Sequence, residues 1–255
     1  MLTVKQLIEL NHQMRSELLL AWQFHKSGPD DGKYMPLLHF ALQATKKHEA
    51  MELLIQHNLG QEAGMMLRSM FEAMVNAIWI AQDLENRLKR FHAYQFFSAQ
   101  KYQKLGQKLH GVSQTEESAA EEEAEKSLRQ KAEEEGWRDL PNWNFKSGVY
   151  WSGKSLYDMA VEIGMEKGYN TVYRIYSEVV HVGLASGSEY FSQSDDGVTT
   201  IRRETVLPHG ELCLRQGYYF MLLIFSALEE CVGINLGKVL DKYQALLPKV
   251  METDA

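Results

Sequence analysis

Long stretches without proline or glycine are the feature that most constrains the fold of this chain. Its 255 residues include only five prolines, and residues 65–105 contain neither proline nor glycine. A fold of many short strands needs both residue types at its frequent turns, so their scarcity favours helices. Apolar residues also recur at helical spacing through these stretches. We therefore predict an all-α fold, an antiparallel helical bundle.

Stop signals such as Ser27-Gly28-Pro29 and Asn58-Leu59-Gly60 divide the chain into predicted helices. The third predicted helix is apolar almost all round, so we expect it at the centre of the bundle. Two β-prone runs, 188–193 and 198–204, flank a turn sequence and predict a small β-hairpin. The predicted helices cover residues 3–24, 36–57, 62–81, 84–110, 155–162, 170–182 and 209–247, and a further Glu-rich helix lies within 111–136.

Charge is distributed unevenly although the whole chain carries only −7. Helix 84–110 has six basic residues and no acid between 87 and 108, with aromatic residues interleaved, whereas residues 115–135 hold nine glutamates against three basic residues. Opposite charges on consecutive helices predict a charged helical-hairpin arm. We expect a single helical domain over 1–255 in which 111–136 is the Glu-rich arm. Helices 84–136 also offer a surface for a protein partner or, through the basic and aromatic residues, for RNA.

Targeting signals and membrane spans are not evident in the sequence. The N-terminal residues lack a basic region followed by an apolar core. The most apolar stretch, 218–228, is too short to cross a bilayer and runs into Glu229 and Glu230. Cys213 and Cys231, if they share one helix, lie roughly 27 Å apart, beyond disulfide reach. We expect a cytoplasmic protein without membrane contact.

A first polar stripe interrupts the apolar third helix. Arg68, Glu72 and Asn76 follow one another at intervals of four residues and therefore lie on one face. Burial of such groups is costly unless each is paired. One explanation is an intrahelical Arg68–Glu72 ion pair with a structural role, and the other is a functional site.

A second polar stripe lies in the predicted helix 170–182. Arg174 and His181 are two helical turns apart and share a face, with Ser177 and Glu178 between them. A guanidinium group suits a phosphate, and an imidazole moves protons near neutral pH. The stripe therefore indicates a catalytic pair, Arg174 and His181, supported by Arg68, Glu72, Asn76, Ser177 and Glu178. The alternative is an exposed helix whose histidine caps its own C-terminus.

Two resemblances rest on these stripes. The elements Arg68-Ser69-Met70-Phe71-Glu72 and Tyr173-Arg174-Ile175-Tyr176-Ser177-Glu178-Val179-Val180-His181 resemble those of an uncharacterised bacterial family of helical proteins. The second element is also similar to the Arg-x(4–6)-His signature of the HEPN superfamily (higher eukaryotes and prokaryotes nucleotide-binding). That resemblance implies RNA or a nucleotide as ligand, a homodimer, and a metal-independent ribonuclease of bacterial defence or stress response with Arg174 and His181 as its catalytic pair.

Two other function classes stay open at this stage. The chain could be a non-catalytic adaptor that binds partners through its charged arm. Alternatively, Glu178-x-x-His181 and Glu9-x-x-His12 are spaced like the ligand pairs of ferritin-like di-metal bundles, with Glu72 as a further ligand. Because Glu9 and His12 lie off the apolar face of the first helix, we expect no metal and no cofactor.

Overall fold

Helices dominate the computed structural model of the chain, which describes residues 1–23, 31–110, 119–137, 151–181, 191–193, 199–201 and 208–252. The all-α fold is therefore confirmed. The helices are α1 (Val4–Gln23), α2 (Met35–Gln56), α3 (Gly60–Gln82), α4 (Leu84–His110), α5 (Ala119–Glu134), α6 (Leu156–Glu162), α7 (Glu166–Gly168), α8 (Arg174–Val180), α9 (Pro208–Val232), α10 (Gly237–Gln244) and α11 (Leu247–Met251). A 3-10 turn, Asp31–Tyr34, precedes α2, and a π-turn, Tyr169–Tyr173, joins α7 to α8.

Two short strands match the predicted β-hairpin. Strand β1 (Phe191–Gln193) pairs antiparallel with β2 (Thr199–Ile201), and Phe191 lies opposite Ile201. The turn between them, 194–198, lies outside the described residues. The two strands pair with each other only through this short register.

The predicted last helix, 209–247, is wrong because the chain breaks it twice. Gly233 and Asn235 have φ values of 69° and 62°, a left-handed backbone that ends α9. The backbone N–H of Leu236 then donates to the Glu229 carboxylate at 2.8 Å, which fixes the chain where α10 begins. A side chain of α9 therefore holds the residue that precedes the next helix.

The chain forms two compact units, Met1–Gln82 with Met159–Ala255, and Asp83–Asp158. In the first unit, α3 packs between α2 and α9 and contributes the buried side chains of Leu67, Met70, Phe71 and Met74. The predicted central position of α3 is therefore confirmed. No helix among the described residues has the length and apolar character that a membrane crossing requires.

A glycine on α3 allows α8 to approach closely. A Cβ atom added at Gly64 would lie only 1.9 Å from Cε1 of Tyr176, a buried residue of α8. The Tyr176 ring therefore occupies the space that a side chain at position 64 would need. The prediction that the helix carrying Arg174 packs against the central helix is confirmed.

The second unit contains α4 and α5. The Phe91 and Trp151 rings meet edge to face at 4.7 Å, and Arg90 Nε donates to the Trp151 carbonyl at 2.8 Å. Arg129 of α5 pairs with Glu125 on its own helix. The predicted turn of the arm falls at 111–118, outside the described residues. The single domain over 1–255 with a Glu-rich arm over 111–136 stays a prediction.

Candidate functional site

The site residues of the second stripe lie on one helical run with a π-turn in its middle. Helix α7, the π-turn and α8 follow one another from Glu166 to Val180 without a break. Within the π-turn the rings of Tyr169 and Tyr173 stack, with centroids 4.9 Å apart and planes inclined by 23°. Single π-turns inside helices are rare and often occur at functional sites.

Arg68 of α3 joins this run through its guanidinium group. Its Nε donates to Ser177 Oγ at 2.9 Å, and its Nη2 donates to the Tyr173 hydroxyl at 2.9 Å. The guanidinium carbon also lies 4.4 Å from the centre of the Tyr173 ring, in cation–π contact. Ser177 Oγ in turn donates to the Tyr173 carbonyl at 2.6 Å. We call these three residues and Glu72 the Arg68 network.

Glu72 completes the Arg68 network on the side of α3. Its carboxylate lies 3.2 Å from Arg68 Nη2, so the predicted intrahelical ion pair is confirmed. Burial raises the pKa of Glu72, against the opposing effects of the Arg68 charge, a hydrogen bond from Tyr173 and the Lys47 charge. Asn76 donates from Nδ2 to the Glu72 backbone carbonyl at 2.7 Å, which ties Asn76 to its own helix.

Arg174, Glu178 and His181 lie apart from this network, exposed to solvent. Arg174 Nη1 donates a long hydrogen bond of 3.4 Å to the Asn170 carboxamide oxygen. His181 is the C-cap of α8, and its backbone N–H donates to the Ser177 carbonyl at 3.0 Å. The two side chains start about 10 Å apart along the helix axis, given a rise of 1.5 Å per residue.

The predicted site residues thus form two groups, an exposed one on α8 and at its C-cap, and an inward one shared by α3 and α8. Ser177 turns inward and joins Arg68 and Glu72, although the seven-residue spacing had placed it on the face of Arg174 and His181. The exposed group can meet a ligand from solvent. The inward group joins this helix to α3.

The residues proposed for a di-metal site do not form a cluster. Glu9 and His12 are exposed on α1, and His12 Nδ1 lies 3.1 Å from Arg15 Nη2. Within the part of the chain that the structure describes, no three His, Cys, Asp or Glu side chains lie close enough together to hold a metal ion. The di-metal alternative gains no support from this arrangement.

Sequence reasoning missed a buried polar cluster between α1 and α2. Arg15 Nη1 lies 2.5 Å from Glu52 Oε1 and 3.1 Å from His48 Nδ1. His48 Nε2 lies 2.7 Å from the Asn11 carboxamide oxygen. Burial, with a smaller effect of the Arg15 charge, lowers the pKa of His48 to about 3. Its ring is therefore neutral and packs as part of the core.

A signal for this cluster existed in the sequence. Asn11 and Arg15 continue the α1 face that Leu7 and Leu18 define, and both are buried with it. The pairs Asn11–Arg15 and His48–Glu52 also have the same spacing of four residues as Arg68–Glu72. A search for polar residues on apolar faces would have found all three pairs.

A family model covers more than half of the chain. The family is described as a family of unknown function, DUF5677, and it matches residues 34–198. The chain belongs to this family. The DUF5677 segment includes α2, α3 and α8, and with them the whole Arg68 network, Arg174 and His181, whereas α1 and α9–α11 lie outside it. Curated proteins and solved structures give no significant match.

Proposed function

We propose that this DUF5677 protein is a metal-independent endoribonuclease of the HEPN type, in which Arg174 and His181 form the catalytic pair. The observation that carries the proposal is their placement. Both side chains are exposed on one helical face two turns apart, while the Arg68 network holds the same helical run at Tyr173 and Ser177. A phosphodiester can therefore approach from solvent and contact two side chains held on a fixed scaffold.

The chemistry of this pair suits transfer of a phosphoryl group within RNA. His181 would accept the proton of a ribose 2′-hydroxyl as its oxygen attacks the adjacent phosphorus. The bond from phosphorus to the 5′-oxygen breaks, that oxygen takes up a proton, and a 2′,3′-cyclic phosphate remains. Arg174 would neutralise the negative charge that develops on the phosphate.

Glu178 and the resemblance to the HEPN superfamily complete the proposal. Glu178 lies one turn from Arg174 and one from His181, so its carboxylate can orient either side chain when RNA binds. By the same resemblance we propose that the protein is cytoplasmic and works as a homodimer in a bacterial defence or stress response. Its substrate would be single-stranded RNA.

The test is cleavage of single-stranded RNA with EDTA present. Purified protein should cleave, and Arg174→Ala or His181→Ala should each lower the rate by about 10²-fold or more, the usual scale for an acid–base group. His57→Ala is a matched control, because His57 is also an exposed histidine at the C-cap of a helix, α2. It should cleave like the wild type.

Two results would remove the proposal. One is no cleavage above the His181→Ala background across several RNAs, also with the product of a neighbouring gene added. The other is an equal loss in His57→Ala and His181→Ala, which would show a general effect of losing a C-cap histidine. Either result would leave the adaptor hypothesis, with partner binding through residues 84–136, as the next one to test.

A further inference from the structure

We propose that Tyr173 is the positioning residue of this site, and that its hydroxyl group holds α8 in the orientation in which Arg174 and His181 act together. The inference rests on the proposed function. It concerns a residue that the sequence pattern includes beside Arg174 but to which neither the sequence nor the family match gives a role.

The Tyr173 hydroxyl links two charged groups of α3. It accepts a hydrogen bond from Arg68 Nη2 at 2.9 Å and donates one to the Glu72 carboxylate. Both capacities of the hydroxyl are thereby used. Because Arg68 and Glu72 are also paired with each other, the hydroxyl enters an existing ion pair and fixes its geometry.

The Tyr173 ring is confined on several sides as well. It stacks on Tyr169, lies 6.2 Å from the Phe71 ring between centroids, and packs under the Arg68 guanidinium. The rigid ring transmits the position of its hydroxyl to the backbone. Tyr173 is the last residue of the π-turn, so its backbone leads directly into Arg174.

Ser177 provides the second link between Arg68 and α8. Its Oγ accepts from Arg68 Nε and donates to the Tyr173 carbonyl, so it has no hydrogen left to donate to a substrate. One guanidinium group therefore binds this helical run at two residues, Tyr173 and Ser177, which lie one turn apart. Arg174 and Glu178 follow these two points directly in the chain and point outward to solvent.

The test uses Tyr173→Phe, which removes the hydroxyl and keeps the ring. Tyr219→Phe is the matched control, because Tyr219 lies half-buried on α9 and its hydroxyl has no hydrogen bond among the described residues. Amide hydrogen exchange over 174–181 should speed up by about tenfold in Tyr173→Phe relative to Tyr219→Phe, since part of the anchor of α8 is lost. Exchange in α9 should not change.

Steady-state cleavage of single-stranded RNA with EDTA is the second readout. In Tyr173→Phe, kcat should fall by about 10-fold or more with KM nearly unchanged, because misplaced groups lose transition-state contacts and not substrate binding. Ser177→Ala, which removes the other link, should give the same pattern. Direct participation of Tyr173 in binding would instead raise KM.

The outcomes separate this inference from the proposed function. Unchanged exchange over 174–181 in both variants overturns the positioning role. Faster exchange with unchanged kcat shows that the anchor is only structural and also overturns the inference. If the wild type cleaves no RNA, the proposed function fails, and the exchange data alone decide whether Tyr173 anchors α8.

Discussion

Substitution of Gly64 by alanine tests the close packing that places α8 on α3. The added Cβ atom would lie 1.9 Å from Cε1 and 2.1 Å from Cδ1 of the Tyr176 ring, roughly half of a normal carbon–carbon contact. The ring cannot simply swing away. It is 1% exposed, and its hydroxyl lies 3.2 Å from His209 Nδ1. One of the two helices has to shift.

Two opposing effects set the size of the loss. Overpacking of a filled core costs about 1–3 kcal/mol, and the upper end applies here because the contact is with a buried ring. Alanine in place of glycine within a helix returns up to about 1 kcal/mol. We therefore expect a net loss of about 2 kcal/mol in the free energy of unfolding. In a chain of this length the melting temperature should fall by about 4–8 °C.

Gly237→Ala is the control for this substitution. Gly237 begins α10, and the nearest atom to an added Cβ is Glu229 Oε1 at 3.9 Å, an ordinary contact. Thermal unfolding of both variants, followed by circular dichroism, should show a lower melting temperature for Gly64→Ala and an equal or higher one for Gly237→Ala. If Gly64→Ala were as stable as Gly237→Ala, Tyr176 could not be packed against Gly64, and the placement of α8 would be wrong.

Other variants test other parts of the structure. Because burial lowers the pKa of His48 from 6.5 to about 3, its neutral form stabilises the fold above pH 6.5, and this contribution declines toward pH 3 by up to about 1.4 kcal/mol per pH unit. Urea titrations at about pH 7.5 and about pH 5.5 should therefore show that the free energy of unfolding falls more on acidification in the wild type than in His48→Gln. Equal falls in the two proteins would contradict the burial of a neutral ring. Glu52→Leu should lower the free energy of unfolding by about 3–5 kcal/mol, because it leaves Arg15 buried without its carboxylate partner. The double variant with Arg15→Met should recover most of this loss, and a double variant without recovery would contradict the ion pair. Glu72→Gln should cost about 1 kcal/mol and also lower cleavage, since Arg68 loses its counter-charge but keeps two hydroxyl partners; an unchanged melting temperature would contradict the ion pair. Replacement of 111–136 by a Gly/Ser linker should leave cooperative unfolding intact, because the segment is highly charged and poor in large apolar residues; a broad, non-cooperative transition would show that it is structural.

Helical periodicity explains why the centre of the fold could be predicted. The side chains of α3 are apolar on nearly all sides of the helix, and such a helix is stable in water only when other helices cover it. The same periodicity exposed Arg68 and Glu72 as polar exceptions at a spacing of four, which led directly to their ion pair. Local pattern and tertiary packing agree at these positions.

Other features depend on information that a helical pattern does not contain. The sequence predicted one helix over 170–182, whereas the helical run begins at Glu166 and contains a π-turn over Tyr169–Tyr173. The backbone hydrogen bonds of a π-turn reach one residue further than those of an α-helix, and apolar spacing does not report them. The break after α9 depends on the left-handed backbone of Gly233 and Asn235, without a proline to mark it. The inward turn of Ser177 follows from its contact with Arg68, more than a hundred residues earlier in the chain.

The most direct test of the proposed function is the chemical nature of the RNA ends after cleavage. Single-stranded RNA is incubated with the wild-type protein, His57→Ala or His181→Ala in the presence of EDTA, and the ends of the fragments are identified by mass spectrometry. Attack by a 2′-hydroxyl with His181 as base predicts 2′,3′-cyclic phosphate and 5′-hydroxyl ends from the wild type and His57→Ala, and about 10²-fold less product from His181→Ala. Fragments with 3′-hydroxyl and 5′-phosphate ends, or equal product from His181→Ala, would contradict the catalytic pair.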